Sequence, residues 1–193
     1  MNGARSLWRV LARDLRGAVD RVDTRRLAWS VGARLLPEFS FPRVRTALLR
    51  WSGADVRRDA TFLGYAWFVG PPGALANLRI GAECVIGPGV TFGLDGPIEI
   101  GRGVSISPEA MLFTATHALG PASRRMLTPA RARPIVVEDG VWIGMRALIL
   151  PGVRLGRGCV VAAGSVVTEN IPPNTLVSGN PAAVVRTLPL PDR

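Results

Sequence analysis

His117 is the only histidine in the chain, and it closes the segment TATH, residues 114 to 117. An imidazole titrates near neutrality, so it can take a proton from a hydroxyl of much higher pKa and return one to a leaving group. A lone histidine is more often a satisfied structural side chain, and residue type alone leaves both readings open. Zinc chemistry of the three-histidine kind is excluded by count. All 24 basic residues are arginine, which removes lysine from any catalytic or phosphate-binding role. Trp142 and Asp95 read, on type alone, as a surface aromatic and a turn acid. The two cysteines, Cys84 and Cys159, stand where a small inward residue is wanted, so they are expected as buried thiols rather than a disulfide or a metal pair.

The element that must position these side chains is a repeat of period six. Val137, Ile143, Ile149, Leu155, Val161 and Val167 recur every sixth residue, and Val141, Ala147, Val153, Cys159, Ser165 and Ile171 follow four places after each. A helix wants apolar residues three to four apart and a strand two apart, so a strict six requires short strands separated by identical corners. Three such sides close a coil of roughly 18 residues, and stacked coils bury a continuous aliphatic column. Glycines follow the inward aliphatic at Gly144 and Gly156 and recur later in the hexad at Gly140, Gly152, Gly158 and Gly164, where the backbone turns tightly or approaches closely. Upstream, the repeat runs through Ile80, Ile86 and Phe92, slips by two residues around Gly96-Pro97, and resumes at Ile100, Ile106 and Leu112. His117 falls at the last position of its hexad, at a corner facing out of the column. The excursion 118–136 then leaves the repeat, and a polar segment of this length is usually a functional or mobile loop.

Composition agrees: 22 glycines and 16 prolines suit many short strands and corners. The formal charge of +10 is uneven, with 13 arginines against 5 acids in residues 1–58 and 11 against 9 beyond. No nucleic-acid-binding module accompanies that charge, so nucleic acid is set aside as a partner. Residues 5–22 read as an amphipathic helix, with Leu7, Leu11, Leu15, Ala18 and Val22 on one side and Arg5, Arg9, Arg13 and Arg16 on the other. A second helix is expected from Pro42 to Trp51, with Val44, Ala47, Leu48 and Trp51 on its apolar face and Gly53 as its stop. These helices either cap the open end of the solenoid or, for 5–22, lie on an anionic membrane surface. No signal peptide and no run of 18 uncharged apolar residues is seen, so a cytoplasmic location is expected, peripheral to the inner membrane face under the second alternative.

The run GVWIGMRALILPGVRLGRGCVVAAGSVV, residues 140 to 167, followed by SGNPAAVVR, residues 178 to 186, resembles the hexapeptide-repeat acyltransferases, and within them the sugar O-acetyltransferases close to the maltose and galactoside enzymes. The resemblance covers roughly residues 78 to 187. It implies an all-β core, a left-handed parallel β-helix over 59–187 with extruded loop 118–136, behind a basic helical segment at 1–58 and before a tail at 188–193. It implies acetyl coenzyme A as co-substrate, His117 as general base in a ternary complex, no metal, and a homotrimer whose loops reach over neighbouring subunits. Carried over by motif, Trp142 and Asp95 contact the acceptor, while Met145, Ala163, Thr168 and Arg186 contact the coenzyme. The chain departs from the pattern in VIGPGVTFG, residues 85 to 93, which lacks an asparagine common in the group, and in Glu169 and Ala183, which replace two frequent lysines. The expected acceptor is a sugar or polysaccharide precursor. The alternatives are serine, an amino sugar or an antibiotic, and outside catalysis a solenoid scaffold.

Overall fold

Three columns of inward side chains hold the protein together. Val56, Ile80, Ile100, Val137 and Leu155 stack in register along one wall. Phe62, Ile86, Ile106, Ile143, Val161 and Val177 stack along the second, and Phe68, Phe92, Leu112, Ile149 and Val167 along the third. All but Phe68 are buried. The structure is a computed structural model that describes residues 23–189, side chains 127–129 aside; the helix expected at 5–22 lies outside the described residues. The walls are parallel sheets and the chain winds through about six turns of a left-handed β-helix, with two described helices at its N-terminal end. Before the C-terminal hairpin each wall strand is only two or three residues long, so no coil is stable alone. Truncating one buried column residue such as Ile143 to alanine would cost about 2–5 kcal/mol.

The two glycine sets serve different needs. Gly140 stands at the fourth hexad position with φ +69°, and a Cβ there would approach nothing closer than 3.9 Å, so only its backbone angle demands glycine. Gly144 stands at the second position, where a Cβ would lie 2.6 Å from the Ala163 amide nitrogen of the next coil. Glu83, Glu109 and Arg146 occupy fourth positions without being glycine, at φ +59°, +61° and +57°. Each of them pairs with a neighbouring coil: Arg102 with Glu83 and Arg146 with Glu109, both at 2.6 Å. Such exposed pairs add little stability individually.

Between the third wall and the first the regular winding is interrupted at three places, the earliest being 70–77, between Trp67–Val69 and Leu78–Ile80, which holds the short 3-10 helix Ala74–Asn77. The two-residue slip is the corner 94–97, between the strands Thr91–Gly93 and Ile98–Ile100, where Leu94 turns inward and is fully buried. One coil later the chain leaves as an antiparallel hairpin, Ala115–Leu119 against Met126–Ala132, and rejoins the first wall at Ile135. At the C-terminal end the strand Thr175–Gly179 joins the second wall and Ala182–Thr187 folds back on it antiparallel.

Helix α1, Thr24–Leu35, has no counterpart in the periodicity analysis. Asp23 caps it by accepting the Arg26 amide at 3.0 Å, which holds the Asp23 carboxyl below its ordinary pKa. Its Trp29 is fully buried against Phe62, Tyr65 and Phe68 of the first coil. Helix α2 spans Pro42–Trp51 as expected, with Pro42 at the N-terminal first turn. Of the expected apolar face only Leu48 packs against the core. Val44, Ala47 and Trp51 are exposed, and α2 instead turns Arg45, Thr46 and Leu49 inward. Arg45 reaches three backbone carbonyls, those of Leu36, Pro37 and Ser40, so a buried cation replaces the apolar residue that periodicity favours.

Candidate active site

The edge between the third and first walls carries Asp95 and His117 on successive coils and Thr168 two coils further on. Asp95 lies in the corner after the strand Thr91–Gly93, His117 in the hairpin strand that follows Met111–Phe113, and Thr168 directly after Val166–Val167. All three side chains are exposed. His117 stands at an irregularity of the hairpin: Thr116 pairs with Arg131 and Ala118 with Leu127, so the ladder shifts register across His117. A bulge re-aims the side chain it carries and is frequent beside active sites.

Thr114, the first residue of TATH, holds this edge and was not singled out from the sequence. It is fully buried, its hydroxyl donates to the Gly93 carbonyl at 2.7 Å, and it accepts the Gly96 amide at 2.9 Å. Its own carbonyl accepts the Arg133 amide at 2.7 Å. One residue thus ties together the corner of Asp95, through its hydroxyl, and the returning arm of the hairpin, through its carbonyl, at the root of the His117 strand. A buried polar residue inside an otherwise aliphatic hexad is the signal that would have found it.

Beside this edge a groove of about 520 Å³ runs over the outer face of the third wall. Met111, Phe113, Leu148 and Leu150 give it an apolar floor, and Thr116, Arg133 and Thr168 border it. Of the four residues expected to contact coenzyme, Thr168 lines the groove directly. Met145 and Ala163 lie at the other margin of the same wall, stacked one coil apart, with the Gly164 amide donating to the Met145 carbonyl at 2.8 Å. Arg186 is elsewhere, on the second wall.

Trp142 is also on the second wall, half-exposed, with its indole Nε1 donating to Ser107 Oγ at 3.0 Å. The register runs Trp142, Val160, Leu176, Arg186 across neighbouring strands, so Trp142 and Arg186 share one outward column. The expected residues therefore fall into two groups, one bordering the third wall and one on the second. Among the described residues, no three or more His, Cys, Asp or Glu side chains gather as a metal site would need.

A polar edge with an exposed imidazole, flanking an apolar groove on a six-turn hexad solenoid, defines a class: the hexad-built acyl-transfer solenoids. Comparison with known proteins agrees. Residues 134–169 match the family model for bacterial transferase hexapeptide, six repeats. The hexapeptide-repeat-containing acetyltransferase of Vibrio cholerae superimposes with a TM-score of 0.73 at 33% identity, covering 86% of this chain and 90% of that one. A second structure of that protein, complexed with acetyl coenzyme A, gives 0.68, also at 33%, over 83% and 86%. A maltose O-acetyltransferase of Clostridium difficile gives 0.74 at 27%, over 89% and 88%. In sequence, the galactoside O-acetyltransferase of Lactococcus lactis is 33% identical over 112 residues, 58% of this chain and 54% of that protein. The chain spans about half the length of the curated relatives it matches. It belongs to the hexapeptide-repeat acetyltransferase family.

Proposed function

We propose that the protein is an O-acetyltransferase moving acetyl from acetyl coenzyme A to a hydroxyl of a sugar or polysaccharide precursor, with His117 as general base. The observation that carries this reading is the exposed His117 at a bulge, on the edge that borders the groove. His117 takes the hydroxyl proton as the acceptor oxygen attacks the thioester carbonyl. When the carbon–sulfur bond breaks, the imidazolium returns that proton to the departing thiolate, so one group serves both steps within a ternary complex. The groove suits the coenzyme's arm, since its floor is apolar and its margins carry Thr168 and, across the wall, Met145 and Ala163. Arg186 would meet a coenzyme phosphate as a bidentate donor. Trp142 offers an indole face to the acceptor ring and Asp95 a carboxylate to its hydroxyls.

The split of these residues between the third and second walls supports a homotrimer in which the second wall of one copy faces the third wall of the next. Sedimentation that returned only a monomer with full activity would refute that arrangement. The test of the chemistry is free-thiol release from acetyl coenzyme A with a panel of saccharides. His117→Ala should lower turnover by about 100-fold or more; retention of a tenth of the wild-type rate would remove His117 from the role. No described helix is long and apolar enough to cross a membrane. In a cytoplasmic enzyme residues 5–22 either cap the solenoid or, as the alternative, meet an anionic membrane surface, and flotation of full-length and residue-58-truncated protein with liposomes separates the two.

A further inference from the structure

The described arginines differ in whether a carboxylate pairs with them, and Arg124, Arg125, Arg131, Arg133 and Arg186 of the solenoid stand in no such pair. Arg79, Arg102, Arg146, Arg154 and Arg157, all on the solenoid, form ion pairs with carboxylates of their own or neighbouring coils. Among the described residues, no arginine of the helical end stands in such a pair. Two of these, Arg43 and Arg50, converge with Arg58 of the first coil and with Trp51 on a concavity of about 520 Å³ whose remaining lining is Thr46 and Ala47, with no acid. Asp59, the acid next to Arg58, is not among the residues that line it.

The pocket is built from two elements. Arg43 and Arg50 lie seven residues apart on α2, hence on one face and about 10 Å apart along the axis. Arg58 comes from the turn after the first strand of the solenoid. Arg50 is held by donating to the Val56 carbonyl at 3.0 Å, and α2 is anchored by the Thr46 hydroxyl donating to the Ala60 carbonyl at 2.7 Å. Three guanidiniums without counter-charge repel one another, and an anion among them relieves that repulsion while taking paired N–H donors. Trp51, 64% exposed, adds a flat apolar wall on one side. The first-coil position of Arg58 sets this pocket apart from the groove beside His117, which is built by later coils.

We propose that Arg43, Arg50, Arg58 and Trp51 form a binding site for a phosphate-bearing anion, separate from the acetyl-transfer site. A soluble phosphate and a lipid phosphate headgroup share this chemistry, and the experiment separates them. Full-length protein is titrated with inorganic pyrophosphate by calorimetry, and sedimented with phosphatidylglycerol and with phosphatidylcholine vesicles, all at low ionic strength. The double variant Arg43→Gln/Arg58→Gln keeps the Arg50 hydrogen bond. Arg79→Gln/Arg102→Gln removes the same charge from the walls, and melting curves check that both fold. Saturable pyrophosphate binding, weakened about tenfold or more in the pocket variant alone, supports a soluble ligand. Binding to the anionic vesicles alone, lost in the pocket variant alone, supports a headgroup. Trp51→Phe, which leaves the guanidiniums in place, should erase the fluorescence change on pyrophosphate addition while binding persists. No binding in either arm, or equal loss in both double variants, would overturn the site.

Discussion

Gly96 donates its amide to Thr114 Oγ1 at 2.9 Å, so the corner that carries Asp95 and the strand that leads to His117 are fastened through one buried hydroxyl. Thr114→Val preserves shape and leaves the Gly96 amide buried without a partner. That should cost about 1–3 kcal/mol. In urea unfolding the midpoint falls accordingly, and in the acetyl-transfer assay kcat drops while KM for acetyl coenzyme A holds. A variant with unchanged kcat would make Thr114 a purely structural residue.

Two neighbouring glycines should respond unequally to the same change. Gly140→Ala has room and suffers only from its positive φ, about 1–2 kcal/mol. Gly144→Ala drives a methyl against backbone of the adjacent coil, and overpacking of a rigid ladder costs about 3 kcal/mol. Parallel denaturation curves should rank Gly144→Ala as the more damaging. The reverse order would contradict the close-packing account of the second hexad position.

Ser107 holds the indole of Trp142 from the preceding coil. Ser107→Ala removes that acceptor at the surface, where stability should change by no more than about 0.5 kcal/mol. If the indole faces the acceptor, KM for the saccharide rises several-fold while KM for acetyl coenzyme A is steady. Equal changes in both would place Trp142 outside the acceptor pocket.

Burial pushes the Cys159 thiol up to about 12, with the Glu138 charge adding to the effect, and burial raises Cys84 as well. In the unfolded chain a thiol titrates near its ordinary value of 9.0. Between these limits the unfolded state holds fewer protons than the native one, so stability falls as pH rises. The contribution is fully present below pH 9 and fades toward 12. Urea midpoints followed into that range should decline, and Cys84→Ala/Cys159→Ala should flatten the decline. Thiol alkylation at about pH 8 should need denaturant.

The winding was legible because its signal is repeated: Ile80, Ile86, Phe92, Ile100, Ile106, Leu112 and the six hexads from Val137 all point inward. Both cysteines are buried and free, as their hexad position implied. What periodicity could not reach are contacts made once. Helix α1 went unseen because Leu27, Val31 and Leu35 line up on its exposed side, while Trp29 and Ala33 do the packing. The face of α2 was misread because Arg45, bonded to three carbonyls, is a better fit there than an apolar residue. In the candidate site, the hexad marked His117 as an outward corner residue. That Asp95 shares its edge depends on the insertions at 94–97 and at the hairpin, and that Trp142 and Arg186 share another wall depends on the turn-back of Ala182–Thr187, geometry that no repeat encodes.

The antiparallel turn-back of Ala182–Thr187 on Thr175–Gly179 has a consequence for assembly. On that wall the terminal strand runs opposite to every other, so a parallel ladder cannot be continued through it by an incoming copy. With α2 packed on the first coil at the opposite end, the described chain covers the second wall's ladder at both of its ends, which disfavours end-to-end stacking of copies along that wall.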